Sequence, residues 1–208
     1  MKSGRNLLEA YTTLNTLGTS EEEIRNSVFI GYASPVKDEK EARDFIQMVK
    51  SRHADADHNV YAYVIKSDKN LAIKYDDDGE PAGSSGKPIY KVLEMKELNN
   101  VAVVVTRYFW GIKLGFGGLA KAYRETAAKA IENAGYLEVR ERSIVRIKLE
   151  YPDIQKVKMT VLQHGIIIEE DFSENVLFRV EIDSDKKDIF IEQLINATKN
   201  RVQIEISK

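Results

Sequence analysis

Val101-Ala102-Val103-Val104-Val105 is an unbroken apolar run. A strand built from it has no face to show to water, so it belongs at the centre of a sheet with cover on both sides. Asn59 to Lys66 makes a similar demand, because Val60, Ala62 and Val64 alternate with Tyr61, Tyr63 and Ile65. The rest of the chain has to build around these two strands.

Leu7 to Leu17 suits a strand. A Gly18-Thr19-Ser20 turn then leads to Glu21, Glu22, Glu23 and Ile24. Val28 to Ala33 is a strand that Pro35 stops. From Asp38 to His53 the pattern is helical, with Ala42, Phe45, Ile46 and Val49 spaced by three and four and with Ser34 or Asp38 as the cap. Leu71 to Tyr75 reads as a short hairpin partner for residues 59–66. Ile89 to Leu98 and Leu119 to Asn133 read as helices, the second closed by Gly135. Tyr136 to Ser143 is a last strand of this half.

The remainder gives strand 144–150, a helix from Tyr151-Pro152-Asp153 to His164, strands 166–170 and 176–182, helix 185–197 and strand 201–206. The order β-α-β-β-α-β is that of the ferredoxin-like sandwich. The fold class expected is therefore α+β in two domains, 1–142 and 143–208, with the boundary near Arg142 and no Pro/Gly-rich linker.

Composition limits the chemistry. The 208 residues carry a net charge of −2, so attraction to nucleic acid has to come from a local basic patch. No cysteine is present, which excludes disulfides, thiol catalysis, zinc-thiolate sites and iron–sulfur clusters. No apolar run approaches the roughly 20 residues of a membrane helix, and the N-terminus lacks the apolar core of a signal peptide. The chain reads as cytoplasmic, with no membrane association.

Three constellations stand out. Asp76-Asp77-Asp78-Gly79-Glu80-Pro81 is an acidic turn that either holds a hard divalent cation or is simply solvated; the Glu80 carboxylate is placed to orient the loop that follows. That loop, Gly83-Ser84-Ser85-Gly86-Lys87-Pro88, is either an anion seat built from backbone N–H groups or a capped turn. It lacks the spacing of a phosphate-binding P-loop. The third runs from Arg107, Tyr108, Phe109 and Trp110 through Gly111, Ile112, Lys113, Leu114, Gly115 and Phe116 to Gly117-Gly118-Leu119. Lys121 and Arg124 follow on the next helix. Basic groups and a helix N-terminus favour phosphate or carboxylate, and aromatics beside them suit a splayed nucleotide. The alternative is that the aromatics pack inward and the glycines serve a turn.

Catalytic signals are sparse. His53 and His58, with Asp55 and Asp57 between them, form either a metal site or a solvated helix terminus. No serine-hydrolase elbow, zinc-protease helix or Walker motif is present. No catalytic residue, metal or cofactor is assigned.

Several segments resemble the Impact/YigZ family: Phe29-Ile30-Gly31-Tyr32-Ala33; His53 to His58 into Tyr61-Ala62-Tyr63; Asp77-Asp78-Gly79-Glu80-Pro81 with Gly83 to Ile89; and Asn100 through Phe109 into Gly111-Ile112-Lys113-Leu114-Gly115, Gly117-Gly118-Leu119 and Ala122-Tyr123. Together they span most of residues 25–135. The resemblance implies a first domain like the second domain of the small-subunit ribosomal protein five. It also implies a ferredoxin-like second domain similar to the last domain of elongation factor G. Eukaryotic members carry a separate N-terminal region and restrain the kinase that phosphorylates an initiation factor; no such region is seen here, and that partner is not expected. Trp110 stands where the family has the first of two glycines, so it either fills a groove or adds a stacking surface. Ser84-Ser85 replaces Thr-Ala, and Val28 replaces a basic residue.

The reading that follows is a non-enzymatic, translation-associated factor that binds RNA, the ribosome or a protein partner of the translation machinery. Its surface would comprise Asp77, Asp78, Glu80, Ser84, Ser85, Lys87, Arg107, Tyr108, Phe109, Trp110, Lys113, Lys121 and Arg124. The alternatives are a nucleotide- or phosphate-binding enzyme with magnesium on Asp77, Asp78 and Glu80, and a protein-interaction module using an edge strand of residues 144–208.

Overall fold

The computed structural model describes residues 10–67, 70–173 and 175–207. They divide into two compact units, Tyr11–Val139 and a second that begins at Arg140. The first contains β1 (Tyr11–Leu14), β2 (Gly18–Ile24), β3 (Ser27–Pro35), α1 (Glu39–Arg52), β4 (His58–Lys66), β5 (Leu71–Asp76), α2 (Gly86–Met95), β6 (Val101–Phe109), α3 (Gly115–Ala134) and β7 (Tyr136–Val139). Of the strand expected over residues 7–17, Leu7 to Glu9 lie outside the described residues.

The main sheet has the order β2-β3-β6-β4-β5, with every neighbouring pair antiparallel. β6 takes the middle place that its apolar run requires. Val101, Val103 and Val105 face one core, with Phe29, Val60 and Ala62 of the sheet, Ile89 and Leu93 of α2 and Tyr123 and Ala127 of α3. Ala102 and Val104 face the other core, with Ala42, Ile46 and Val49 of α1. The Asp38 carboxylate accepts from the Glu41 amide and caps α1, whereas the Ser34 hydroxyl turns to the Pro35 carbonyl.

Gly18-Thr19-Ser20 is not a turn. It opens β2, paired to β3 from Gly18 with Ala33 to Ile24 with Ser27. Gly18 is there for packing, because a Cβ would sit 2.1 Å from the Ala130 carbonyl oxygen of α3. The tight turn comes later, at Arg25 and Asn26, both with positive φ (48° and 58°), as a two-residue hairpin with right-handed strand twist requires. Residues 136–143 are likewise not one strand: β7 pairs with β1, and a new strand starts at Arg142.

The second unit contains β8 (Arg142–Leu149), a 3-10 turn at Tyr151–Asp153, α4 (Ile154–His164), β9 (Gly165–Phe172), β10 (Val176–Asp183), a 3-10 turn at Ser184–Lys186, α5 (Lys187–Thr198) and β11 (Gln203–Ser207). The sheet order β11-β8-β10-β9, all antiparallel, is the β-α-β-β-α-β sandwich expected. Val145, Ile147, Phe178, Val180, Phe190 and Leu194 fill its core. Arg201 holds Asp153 through two bonds of 2.8 and 2.6 Å, tying the segment before β11 to the start of α4.

Candidate functional site

The C-terminal end of β6 carries a buried charge cluster. Arg107, 4% exposed, donates to Glu80 Oε1 at 2.8 Å and to the Ser27 hydroxyl at 3.3 Å. The Tyr123 hydroxyl of α3 donates to the same Glu80 oxygen at 2.8 Å. Burial, and then the neighbouring Glu80 charge, push the Tyr123 phenol far above its ordinary value, so it remains a donor. The guanidinium lies 5.4 Å from the Phe29 ring centre and 4.7 Å from that of Phe109. Its Nε–H is buried and has no partner among the described residues. His58, at the start of β4, donates from Nδ1 to the Asp78 carbonyl at 2.8 Å and sets Nε2 3.8 Å from Glu80 Oε2.

The acidic turn serves the protein's own backbone. The Asp77 carboxylate accepts from the amides of Gly83, Ser85 and Gly86 and from the Ser85 hydroxyl, at 2.7–3.0 Å. Burial works to raise the Asp77 pKa, but these bonds outweigh it and hold the acid below its ordinary value. Asp78 pairs with Lys50 at 2.6 Å and accepts from the Asn59 amide at 2.6 Å. Glu80 is committed to Arg107 and Tyr123 and does not orient the following loop; Asp77 does. The carboxylates considered for magnesium are thus already engaged. Among the described residues no group of three or more His, Asp or Glu side chains could hold a metal ion.

The seat at residues 83–86 therefore exists, and Asp77 is the anion in it. Ser84 and Ser85 are fully buried and offer nothing to a ligand. Gly86 is needed for closeness, since a Cβ would fall 2.8 Å from the Asp76 carbonyl group. Lys87 is exposed in the first turn of α2.

His53 and His58 do not converge. His53 is buried between Tyr32, 2.7 Å from Nε2, and Tyr108, 2.9 Å from Nδ1. Tyr108 donates on to Asp55 at 3.1 Å, so Nδ1–H donates to Tyr108 and Nε2 accepts from Tyr32. Burial, followed by the Arg52 charge, lowers the His53 pKa, with Asp55 opposing. Asp57 accepts from the Phe109 amide at 2.7 Å. These groups fix the end of β6.

A groove of about 300 Å³ opens beside the cluster. His58, Glu80, Pro81, Arg107, Phe109, Lys113, Leu114, Gly115, Phe116 and Leu119 line it. Of residues 76–88, Glu80 and Pro81 line this groove with the segment 107–119. Leu114 also lines an adjoining groove with Arg25, Gly118, Lys121 and Glu125. Between the two grooves α3 begins, its N-cap Leu114 making no side-chain cap bond. The first turn is Gly115-Phe116-Gly117-Gly118, and Gly115 needs its positive φ of 70° to turn the chain into the helix. Phe116 is 60% exposed and Trp110 61%; Trp110 is a surface ring and does not fill the groove.

Lys113 and Arg124 are exposed and make no ion pair among the described residues; Lys121 faces Glu125 at 3.9 Å. Arg124 is three residues beyond Lys121 on α3, a spacing that makes them neighbours on its surface. Of the groove residues, Leu114 and Phe116 lie within the glycine-rich constellation and His58 in the histidine pair without being placed on the expected binding surface, and Arg25 is not marked by the sequence pattern at all. Arg25 sits in the turn after β2, and Phe116 stands ahead of the helix start expected at Leu119 but inside the first turn of α3.

Comparison with known proteins agrees with this architecture. The Impact N-terminal domain family matches residues 25–131, and a domain of unknown function, DUF1949, matches residues 147–201. IMPACT family member YvyE of Bacillus subtilis (strain 168) is 34% identical over 200 residues, covering 96% of this chain and 92% of its own. IMPACT family member YigZ of Escherichia coli (strain K12) is 31% identical over 188 residues, 89% of this chain and 92% of its own. A crystal structure described as that of a hypothetical protein is 29% identical, with a TM-score of 0.63 over 97% of this chain and 99% of that one. With the site motifs inside the matched segment and both units matched in order, the chain belongs to the Impact family.

Proposed function

We propose that this protein is a non-enzymatic translational regulator that binds RNA, free or on the ribosome, through the grooves at the end of β6 and the start of α3. Membership of the Impact family supports the translation setting. The observation that supports RNA is the combination at one place of unneutralised cations, exposed rings and an open helix start. The first N–H groups of an α-helix lack intrahelical acceptors and carry partial positive charge. At α3 they stand beside Lys113 and Arg25, with Lys121 and Arg124 further along. Phe109 and Phe116 add apolar surface. At a net charge of −2 the whole molecule does not attract RNA, so the attraction is local and salt-sensitive. A magnesium-dependent nucleotide enzyme has less support, because Asp77, Asp78 and Glu80 are engaged within the fold.

The test is co-sedimentation of the full chain with ribosomes and with free RNA at low salt. The double variant Lys113→Glu, Arg124→Glu should lose sedimentation while melting like the parent. Parent-like sedimentation of the double variant would remove the electrostatic basis for RNA binding at this surface.

A further inference from the structure

We infer that the groove beside Arg107 seats one unstacked nucleotide of a single-stranded RNA, the base on Phe116 and the phosphate at the first turn of α3. This rests on the RNA-binding function proposed above and narrows it. At about 300 Å³ the groove is at the small end of ligand sites, which run from roughly 300 to 1,000 Å³. It has room for one base and not for a base pair. Its apolar wall is Phe109, Leu114, Phe116 and Leu119, and its polar groups are His58, Lys113 and the Arg107–Glu80 pair, in which each charge offsets the other.

Two features lack a purpose within the fold. The Arg107 Nε–H has no acceptor among the described residues, on a side chain 4% exposed that lines this groove; burying an unpaired donor is unfavourable, and a small shift of the groove wall would let a ligand acceptor reach it. Gly117 has no positive φ, and a Cβ there would meet nothing within 4 Å. Glycine weakens a helix, and neither backbone nor packing asks for it here. Its effect is to leave the amides of the first turn uncovered, which suits a phosphate that must come close. The adjoining groove continues the path: Arg25, Lys121 and Glu125 line it, and with Lys121 facing Glu125 at 3.9 Å Arg25 is the cation left for the next phosphate of the same strand.

The experiment is fluorescence anisotropy with a labelled short oligoadenylate, alone and annealed to its complement, using the full chain. The parent should bind the single strand about tenfold or more tighter than the duplex, and Phe116→Ala should lose about tenfold on the single strand only, the scale of one stacking contact. Phe116→Tyr, which keeps the ring, should restore binding and guards against a folding defect. AMP, which has base and phosphate but no chain, should compete weakly. Equal affinity for single strand and duplex, or parent-like binding by Phe116→Ala, would overturn the nucleotide seat. If the Lys113→Glu, Arg124→Glu variant still lost binding in that case, the RNA surface itself would stand. AMP binding as tightly as the oligomer would overturn the assignment to a chain nucleotide. A parent that binds neither RNA would remove both proposals.

Discussion

Arg107 keeps its charge inside the first unit because Glu80 meets it there. Their side chains are 5% and 4% exposed. The pair's attraction is largely spent on desolvating both ions, so its net worth is small, but removing one partner strands the other. Glu80→Ala is therefore expected to destabilise the protein by about 3–5 kcal/mol. Replacing Glu80 and Arg107 together by Met should cost less than the two single changes added. Urea unfolding checks both, and a Glu80→Ala variant unfolding at the parent's urea midpoint would show that the pair does not hold the floor of the groove. Sequence alone marked Glu80 and Arg107 as surface ligands. Charge type was legible in them, and burial was not, because nothing local to either residue reveals that β6 and the turn at 77–80 come together.

The same limit shows at the scale of elements. Ile89 and Leu119 were the expected starts of α2 and α3, and both helices begin earlier, at Gly86 and Gly115. α2 opens on Gly86-Lys87-Pro88 and α3 on Gly115-Phe116-Gly117-Gly118, whose glycine content and low propensity hide a helix that tertiary packing imposes. For α2 the cap is Asp77, nine residues before Gly86, and it does the work that Ser85 at the N-cap position does not. Asp77→Ala should lower stability at neutral pH by about 2 kcal/mol, the upper range for a lost cap. Because the folded state holds this acid below its ordinary pKa, its contribution is present above the unfolded carboxylate value and is lost as pH falls through the lower folded one. The gap between parent and Asp77→Ala should thus narrow on acidification below about pH 4. Thermal melts from pH 7 to 3 measure it, and a gap constant across that range would contradict the capping role. Longer periodic segments were read correctly. The spacing in α1 gives the face it buries, the two alternating sets in β4 give its two buried faces, and the runs in β8, α4, β10 and α5 carry the sandwich order.

For the whole molecule, the pattern along the chain was enough to see two α+β units, because each strand and helix carries its own periodicity. The convergence of distant loops was not legible in it. Pro81 and Phe116 are far apart in sequence and line one groove, whereas Ser84 and Lys87, closer along the chain to Pro81, do not line it. Nor was the near-neutral net charge informative about the surface, since the acidic side chains at 77–80 turn inward to amides, Lys50 and Arg107 while Lys113 and Arg124 have no ion pair among the described residues. Hydrogen–deuterium exchange of the full chain, with and without single-stranded RNA, reads the claim of RNA binding directly at the backbone. Protection should appear in the segments holding Arg25, Glu80-Pro81 and residues 109–121, with the amides of Phe116, Gly117 and Gly118 slowed most. Protection confined to residues 142–207, or none on an RNA that demonstrably binds, would place the interface elsewhere.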